Sequence, residues 1–134
     1  ETDIIRLCKY DDLFSPVASG SSVPDAMVVL PCSMGTLARI RTGHSGNLLE
    51  RAADVVMKQK KRLILCPRET PLSALHLENM TYLAKLGVDI VPPMPAFYQK
   101  PKDMCGLVDF VVGRVIEQLD LEHDLYEPWN RRMR

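Results

Sequence analysis

No stretch of this chain is apolar for long enough to cross a bilayer as a helix, and nothing in it resembles a signal peptide. It has no excess of charge: 17 Lys plus Arg balance 17 Asp plus Glu. A neutral chain without a basic stripe argues against nucleic acid as a main partner. Its basic clusters, at residues 58–62 and 131–134, are short. The first falls where a helix is expected to end, and there positive charge complements the helix dipole. Metal-ligand spacings are missing as well. Cys8, Cys32, Cys66 and Cys105 form no C-x-x-C pair, and His44, His76 and His123 complete no ligand set, which argues against structural zinc. Such thiols fit a reducing compartment, where a buried cysteine behaves as a small hydrophobe, and the chain reads as cytoplasmic. Internal repeats and low-complexity tracts are absent.

What is present is a rhythm. Three short apolar runs each lead straight into a loop carrying proline and polar groups. Met27-Val28-Val29-Leu30 leads to Pro31-Cys32-Ser33-Met34-Gly35-Thr36, and Leu63-Ile64-Leu65-Cys66 leads to Pro67-Arg68-Glu69-Thr70-Pro71. Val88-Asp89-Ile90-Val91 leads to Pro92-Pro93-Met94-Pro95-Ala96-Phe97-Tyr98. Each run has the length of a strand buried on both faces, and helical segments separate them. This is the βαβ pattern of an α/β domain with a parallel sheet, whose ligands bind beyond the carboxyl ends of the strands. The three loops are therefore expected side by side at one sheet edge. The length fits a single domain over residues 1–134, with a tail from 122. It begins with Glu1 rather than methionine, and a sheet of three or four strands leaves an edge uncovered, so an N-terminal portion is expected to be missing.

Local signals set the elements. Residues 4–8 read as a fragmentary strand, residues 15–22 as a small-residue loop, and residues 36–40 as a short helix ending near Gly43. Asn47 caps a helix to about Lys60, with Glu50 as capping-box partner and Leu48, Leu49, Ala52, Val55 and Val56 as its apolar face. Thr70 and Pro71 suit the N-cap and first residue of a helix carrying Leu72, Leu75, Met80, Leu83 and Leu86 and stopping at Gly87. A last helix opens at Asp103, with Leu107, Val108, Val111, Val112, Val115 and Leu119 as a core stripe.

The candidate site residues each carry two readings. Ser33 and Thr36, flanking Met34 and Gly35 at a helix start, suit a phosphate or a polar ring edge, or are ordinary helix caps. Arg68 and Glu69 stand directly after a buried strand, boxed by prolines that stiffen the loop. The arginine could clamp a phosphate with two parallel hydrogen bonds and the glutamate could move a proton, or the two form a salt bridge. Arg114 lies in an apolar helix and is expected to be buried, needing an anion that is either a ligand or Glu117 three residues on. Lys58 either joins the site or complements a helix dipole. Convergence of Lys58, Arg68 and Arg114, with the phenol of Tyr98, would fit a phosphate monoester.

Four motifs in order carry a resemblance: Pro31-Cys32-Ser33-Met34-Gly35-Thr36-Leu37, Asn47-Leu48-Leu49-Glu50-Arg51-Ala52-Ala53-Asp54-Val55, Pro67-Arg68-Glu69-Thr70-Pro71-Leu72 and Met94-Pro95-Ala96-Phe97-Tyr98. With the tail Leu125-Tyr126-Glu127-Pro128-Trp129, they resemble the UbiX/Pad family of flavin prenyltransferases, formerly called aromatic acid decarboxylases or 3-octaprenyl-4-hydroxybenzoate carboxy-lyases. The resemblance implies a flavodoxin-like, Rossmann-type sheet flanked by helices. It implies transfer of a dimethylallyl group from dimethylallyl monophosphate to N5 and C6 of reduced FMN, making prenylated FMN for a UbiD-type decarboxylase. Ser33, Met34, Gly35 and Thr36 resemble the FMN loop, and Arg68 an FMN- and phosphate-contacting arginine. Lys58, Glu69, Tyr98 and Arg114 resemble the group around the donor phosphate, with Glu69 the acid/base candidate. Trp129 resembles a pocket aromatic. No metal is implied. The family's Gly-rich first loop is absent here, so the chain corresponds to the C-terminal two-thirds of the fold. The family forms trimers that pair into dodecamers with the site where subunits meet, so a homo-oligomer with an interface near Tyr98, Arg114 and Trp129 is expected. The alternatives are an FMN-dependent decarboxylase of the Cys-decarboxylase superfamily, which carries an Asn-bearing loop in place of Pro31 to Thr36, or a non-catalytic flavin-binding subunit.

Overall fold

The computed structural model describes residues 4–127. Three parallel strands form one sheet in the order β1 (Ala26–Cys32), β2 (Arg62–Pro67) and β3 (Asp89–Ile90). Val28 pairs with Ile64, and Ile64 in turn with Asp89. Among the described residues there are also four α-helices, α1 (Met34–Arg41), α2 (Leu48–Lys58), α3 (Ala74–Lys85) and α4 (Met104–Gln118), and short 3-10 turns at Pro16–Ala18, Gly20–Ser22 and Phe97–Gln99.

The central strand explains the layers. Alternation along β2 sends Leu63 and Leu65 to one face, where they pack with Leu37 and Ile40 of α1, Ala53 and Val56 of α2 and Leu83 of α3. Ile64 and Cys66 face the other way, against Val115 of α4. All four β2 side chains are fully buried, and burying a leucine or isoleucine stabilises the fold by about 1.5–3 kcal/mol. The expectation of two buried faces thus holds for β2. It fails for β1, where Leu30 is 46% exposed, because β1 is the sheet edge and α4 covers it only in part.

Other expectations are corrected. Residues 4–8 form no strand: Ile4, Ile5 and Leu7 are almost fully exposed, and without a neighbouring ladder their N–H and C=O groups remain with solvent. The third helix starts not at Thr70-Pro71 but after Ser73. There Ser73 Oγ accepts the His76 N–H (3.2 Å) and His76 Nδ1 accepts the Ser73 N–H (3.3 Å), a reciprocal cap. Leu83 is its buried anchor, whereas Leu72, Leu75 and Leu86 are exposed, since only one narrow face of α3 meets the sheet. On α4 the buried residues are Phe110, Gly113 and Val115. Val108 is 52% exposed and, with Leu107, Val111 and Val112, lines an apolar groove of about 330 Å³ beside Leu30. No helix among the described residues is long and apolar enough to cross a membrane.

Candidate functional site

The carboxyl ends of β1 and β2 lie side by side, with Cys32 opposite Pro67. Ser33 caps α1: its Oγ accepts the Thr36 N–H (3.1 Å), and its hydroxyl donates to Thr36 Oγ1 (3.0 Å). The Met34 and Gly35 N–H groups, ahead of the first turn, have no helical acceptor. Arg68 donates its backbone N–H to the Cys32 carbonyl (3.4 Å), which sets it beside this helix start. The Leu30-Pro31 and Thr70-Pro71 peptides flanking the two loops are cis. Among the described residues Arg68 makes no ion pair, and Glu69 Oε1 accepts the Thr70 N–H (3.1 Å) instead of meeting Arg68. The salt-bridge alternative for this pair is therefore not formed. The result is a helix start, two hydroxyls and an uncommitted guanidinium at one edge, a donor set that fits a phosphate or a flavin's polar edge.

A second network lies behind it. Glu50, 2% exposed at the start of α2, accepts from Arg39 Nε (2.5 Å) and from the Gly46 N–H (2.9 Å). Asn47 Oδ1 accepts the Glu50 N–H (2.9 Å), so the cap is present, but the glutamate turns to Gly46 and Arg39 rather than back to the Asn47 N–H. Burial alone would raise the Glu50 carboxyl; hydrogen bonds from Arg39, Gly46 and Asn47 overcome this and hold it below the usual carboxylate range. Arg39 reaches back towards Thr36 Oγ1 (3.4 Å) and covers Gly35, where a Cβ would meet its Nη1 at 3.3 Å. Sequence reasoning missed Arg39. Its partner lies 11 positions away on another helix, a pairing no local periodicity reveals.

The third group lies on the outer side of α4. Tyr98 meets Phe110 edge-on (ring centroids 6.1 Å), and Phe110 meets Tyr126 (5.0 Å). Arg114 is not buried as expected but 53% exposed; its neighbour Val115 is the residue that packs on β2. Its Nη1 donates to Glu117 Oε2 (2.5 Å), so the intrahelical ion pair is formed. The hydrogen bond with Tyr126, with the Glu117 charge, raises the Arg114 pKa. Tyr126 O–H donates to Glu117 Oε1, and His123 Nε2 lies 3.4 Å from the same oxygen. Burial and then this hydrogen bond push the Tyr126 phenol up. Burial opposes ionisation of Glu117, yet Tyr126, Arg114 and His123 hold it below the usual range.

The expected convergence of three cations does not occur within the chain. Lys58 is exposed in the last turn of α2, next to the start of β2, whereas Arg68 follows its end. The six residues of β2 set them roughly 17 Å apart. Arg114 also lies away from Arg68. It stands one turn before Gln118, whose carbonyl accepts from Arg62 at the start of β2. Tyr98 and Arg114 do share one cluster. Trp129 lies outside the described residues. Among those residues, no group of three His, Cys, Asp or Glu could hold a metal ion.

The sequence model of the Flavoprotein family matches residues 3–116. The flavin prenyltransferase UbiX of Halalkalibacterium halodurans is 57% identical over 121 residues, 90% of this chain and 59% of that protein. The crystal structure of a dodecameric FMN-dependent UbiX-like decarboxylase from Escherichia coli O157:H7 is 50% identical, with a TM-score of 0.87 over 90% of this chain and 65% of that one. The crystal structure of AnUbiX in complex with FMN and dimethylallyl pyrophosphate is 46% identical, with a TM-score of 0.88 over 90% of this chain and 64% of that one. The chain thus spans about three fifths of the length of the relatives it matches.

Proposed function

The chain belongs to the Flavoprotein family, among its UbiX-like members, and from that premise we propose that it acts as a flavin prenyltransferase, moving a dimethylallyl group from dimethylallyl monophosphate to reduced FMN. The observation that carries this reading is Arg68, a guanidinium without an ion pair among the described residues, tethered beside the Ser33 and Thr36 hydroxyls. That AnUbiX is described with FMN and dimethylallyl pyrophosphate supports the choice of ligands.

When bound, reduced FMN supplies the ring atoms that accept the allyl group. The chain's residues do the rest. Ser33, Thr36 and the free N–H groups of Met34 and Gly35 orient the flavin's polar groups. Arg68 binds a phosphate through two parallel N–H donors. As the donor's allylic C–O bond breaks, the electron pair leaves with the phosphate, and cations at that oxygen stabilise the developing charge. Glu69 would take up the proton displaced from the acceptor as the new carbon bond forms, and the departing phosphate can receive it in turn. Tyr98 and Arg114 form the second half of the phosphate group, and Trp129 an aromatic wall for the allyl fragment.

Because Lys58 and Arg114 stand away from Arg68, the complete site needs more than one copy of the chain. A homo-oligomer, trimer-based and dodecameric, supplies it, as the dodecameric relative suggests. The product would serve a UbiD-type decarboxylase. Four free thiols support a cytoplasmic location.

Mixing the intact protein with reduced FMN and dimethylallyl monophosphate tests the reading: the flavin should gain the mass of one dimethylallyl group less a hydrogen. A second reading, an FMN-dependent decarboxylase, draws on the name of the Escherichia coli relative. It requires carbon dioxide release from an aromatic acid with the flavin mass unchanged. An unaltered flavin together with no carbon dioxide release would leave only a binding subunit.

A further inference from the structure

The segment after α4 folds back onto that helix through contacts that phosphate binding by Arg114 does not itself require. Gly113 makes room for it: a Cβ there would come 2.4 Å from Tyr126 Cε1 and 2.7 Å from His123 Cε1. The Tyr126 ring then packs at a tilt against Phe110, which Tyr98 also meets edge-on, while the His123 side chain is only 10% exposed. Both polar ends of this segment meet one carboxylate. Tyr126 donates its hydroxyl proton to Glu117 Oε1, and His123 Nε2 approaches the same atom at 3.4 Å. The other oxygen of Glu117 takes Arg114 Nη1.

We propose that Glu117 is a positioning residue for the donor phosphate, fixing the Arg114 guanidinium through a carboxylate that Tyr126 and His123 hold in place. This rests on the reading of Arg114 as a phosphate ligand. A half-exposed arginine on a helix surface has many rotamers, and an i,i+3 ion pair alone restrains it weakly. Here the acceptor is itself immobilised from the opposite side, so the restraint is passed to the guanidinium. A guanidinium has five N–H donors, and engaging Nη1 leaves others for a phosphate. The same cluster of rings locates Tyr98, so both phosphate candidates on this side are set by one assembly. In Glu117→Gln the amide oxygen still accepts from Arg114, and its NH2 can donate to the Tyr126 hydroxyl, which accepts as well as donates, so the amide should substitute for the carboxylate. An alanine should not.

The test is a double-mutant cycle in the intact protein, read as KM for dimethylallyl monophosphate, with FMN affinity and melting temperature measured alongside. Arg114→Ala should raise the donor KM about 10–100-fold. Glu117→Ala should raise it about tenfold, and Glu117→Gln should stay within about threefold of the parent. Glu117→Ala added to Arg114→Ala should change nothing further, because the carboxylate acts only through the guanidinium. If Glu117→Ala fails to fold, Tyr126→Phe takes its place. It should raise the donor KM in the parent and not in the Arg114→Ala background. An effect of Glu117→Ala that adds to that of Arg114→Ala, or no effect where Arg114→Ala has one, overturns the positioning role and leaves the phosphate site standing. An unchanged KM in Arg114→Ala overturns both.

Discussion

Replacing Glu50 by glutamine should destabilise the fold at neutral pH and lose that effect in acid. The carboxylate is nearly inaccessible and accepts the Gly46 N–H at 2.9 Å on one oxygen and Arg39 on the other. A glutamine of the same shape presents one oxygen and one NH2, so a donor must face a donor at one of the two positions. A hydrogen bond to a charged acceptor contributes about 1.5–3 kcal/mol. The Arg39 side is discounted because that guanidinium is nearly half exposed to solvent. The net cost is therefore about 2 kcal/mol, a fall in melting temperature of roughly 6–10 °C for a domain of this size. The sign of the pH dependence follows from the direction of the shift. Glu50 is held below its ordinary value, so its contribution is complete above the unfolded pKa of about 4.3 and is lost as pH falls through the lower folded value. Thermal melts followed by circular dichroism, parent against variant, at neutral pH and across the acid range, measure both effects. Equal melting temperatures at neutral pH, or a gap that persists undiminished in acid, would refute the reasoning.

Three further outcomes are expected. Arg68→Ala should weaken binding of a prenyl phosphate by about 1.5–3 kcal/mol, measured by calorimetry, since this guanidinium has no other anion among the described residues. Glu69→Gln should slow prenylation by about 10²-fold or more in single-turnover assays while FMN still binds; full turnover would remove the carboxylate from proton transfer. Gly113→Ala should lift residues 121–127 from α4, because its methyl would overlap the Tyr126 and His123 rings, and amide exchange in that segment should accelerate.

Much of this architecture is legible in the sequence because strand and loop chemistry are local. Leu63-Ile64-Leu65-Cys66 is a buried strand by composition, and Ser33 and Asn47 cap helices where such residues do. What failed depends on neighbours. Leu30 looks like a core residue and is half exposed because β1 is an edge. Thr70-Pro71 and Ser73 are both competent helix starts, and only the answering His76 decides for Ser73. The positions of Lys58 and Arg68 were in fact deducible. A helix between parallel strands returns the chain to their amino ends, so a lysine closing α2 must stand a strand's length from an arginine following β2. Arg39 and Glu50 were not deducible, since nothing local joins residues on two helices.

On the proposed function, the flavin sits at the edge shared by β1 and β2. Hydrogen exchange of the intact protein with and without FMN tests it most directly. Protection should concentrate in residues 33–36 and 68–70, where the α1 start and the Arg68 loop meet. Protection elsewhere with these amides unchanged would contradict the account.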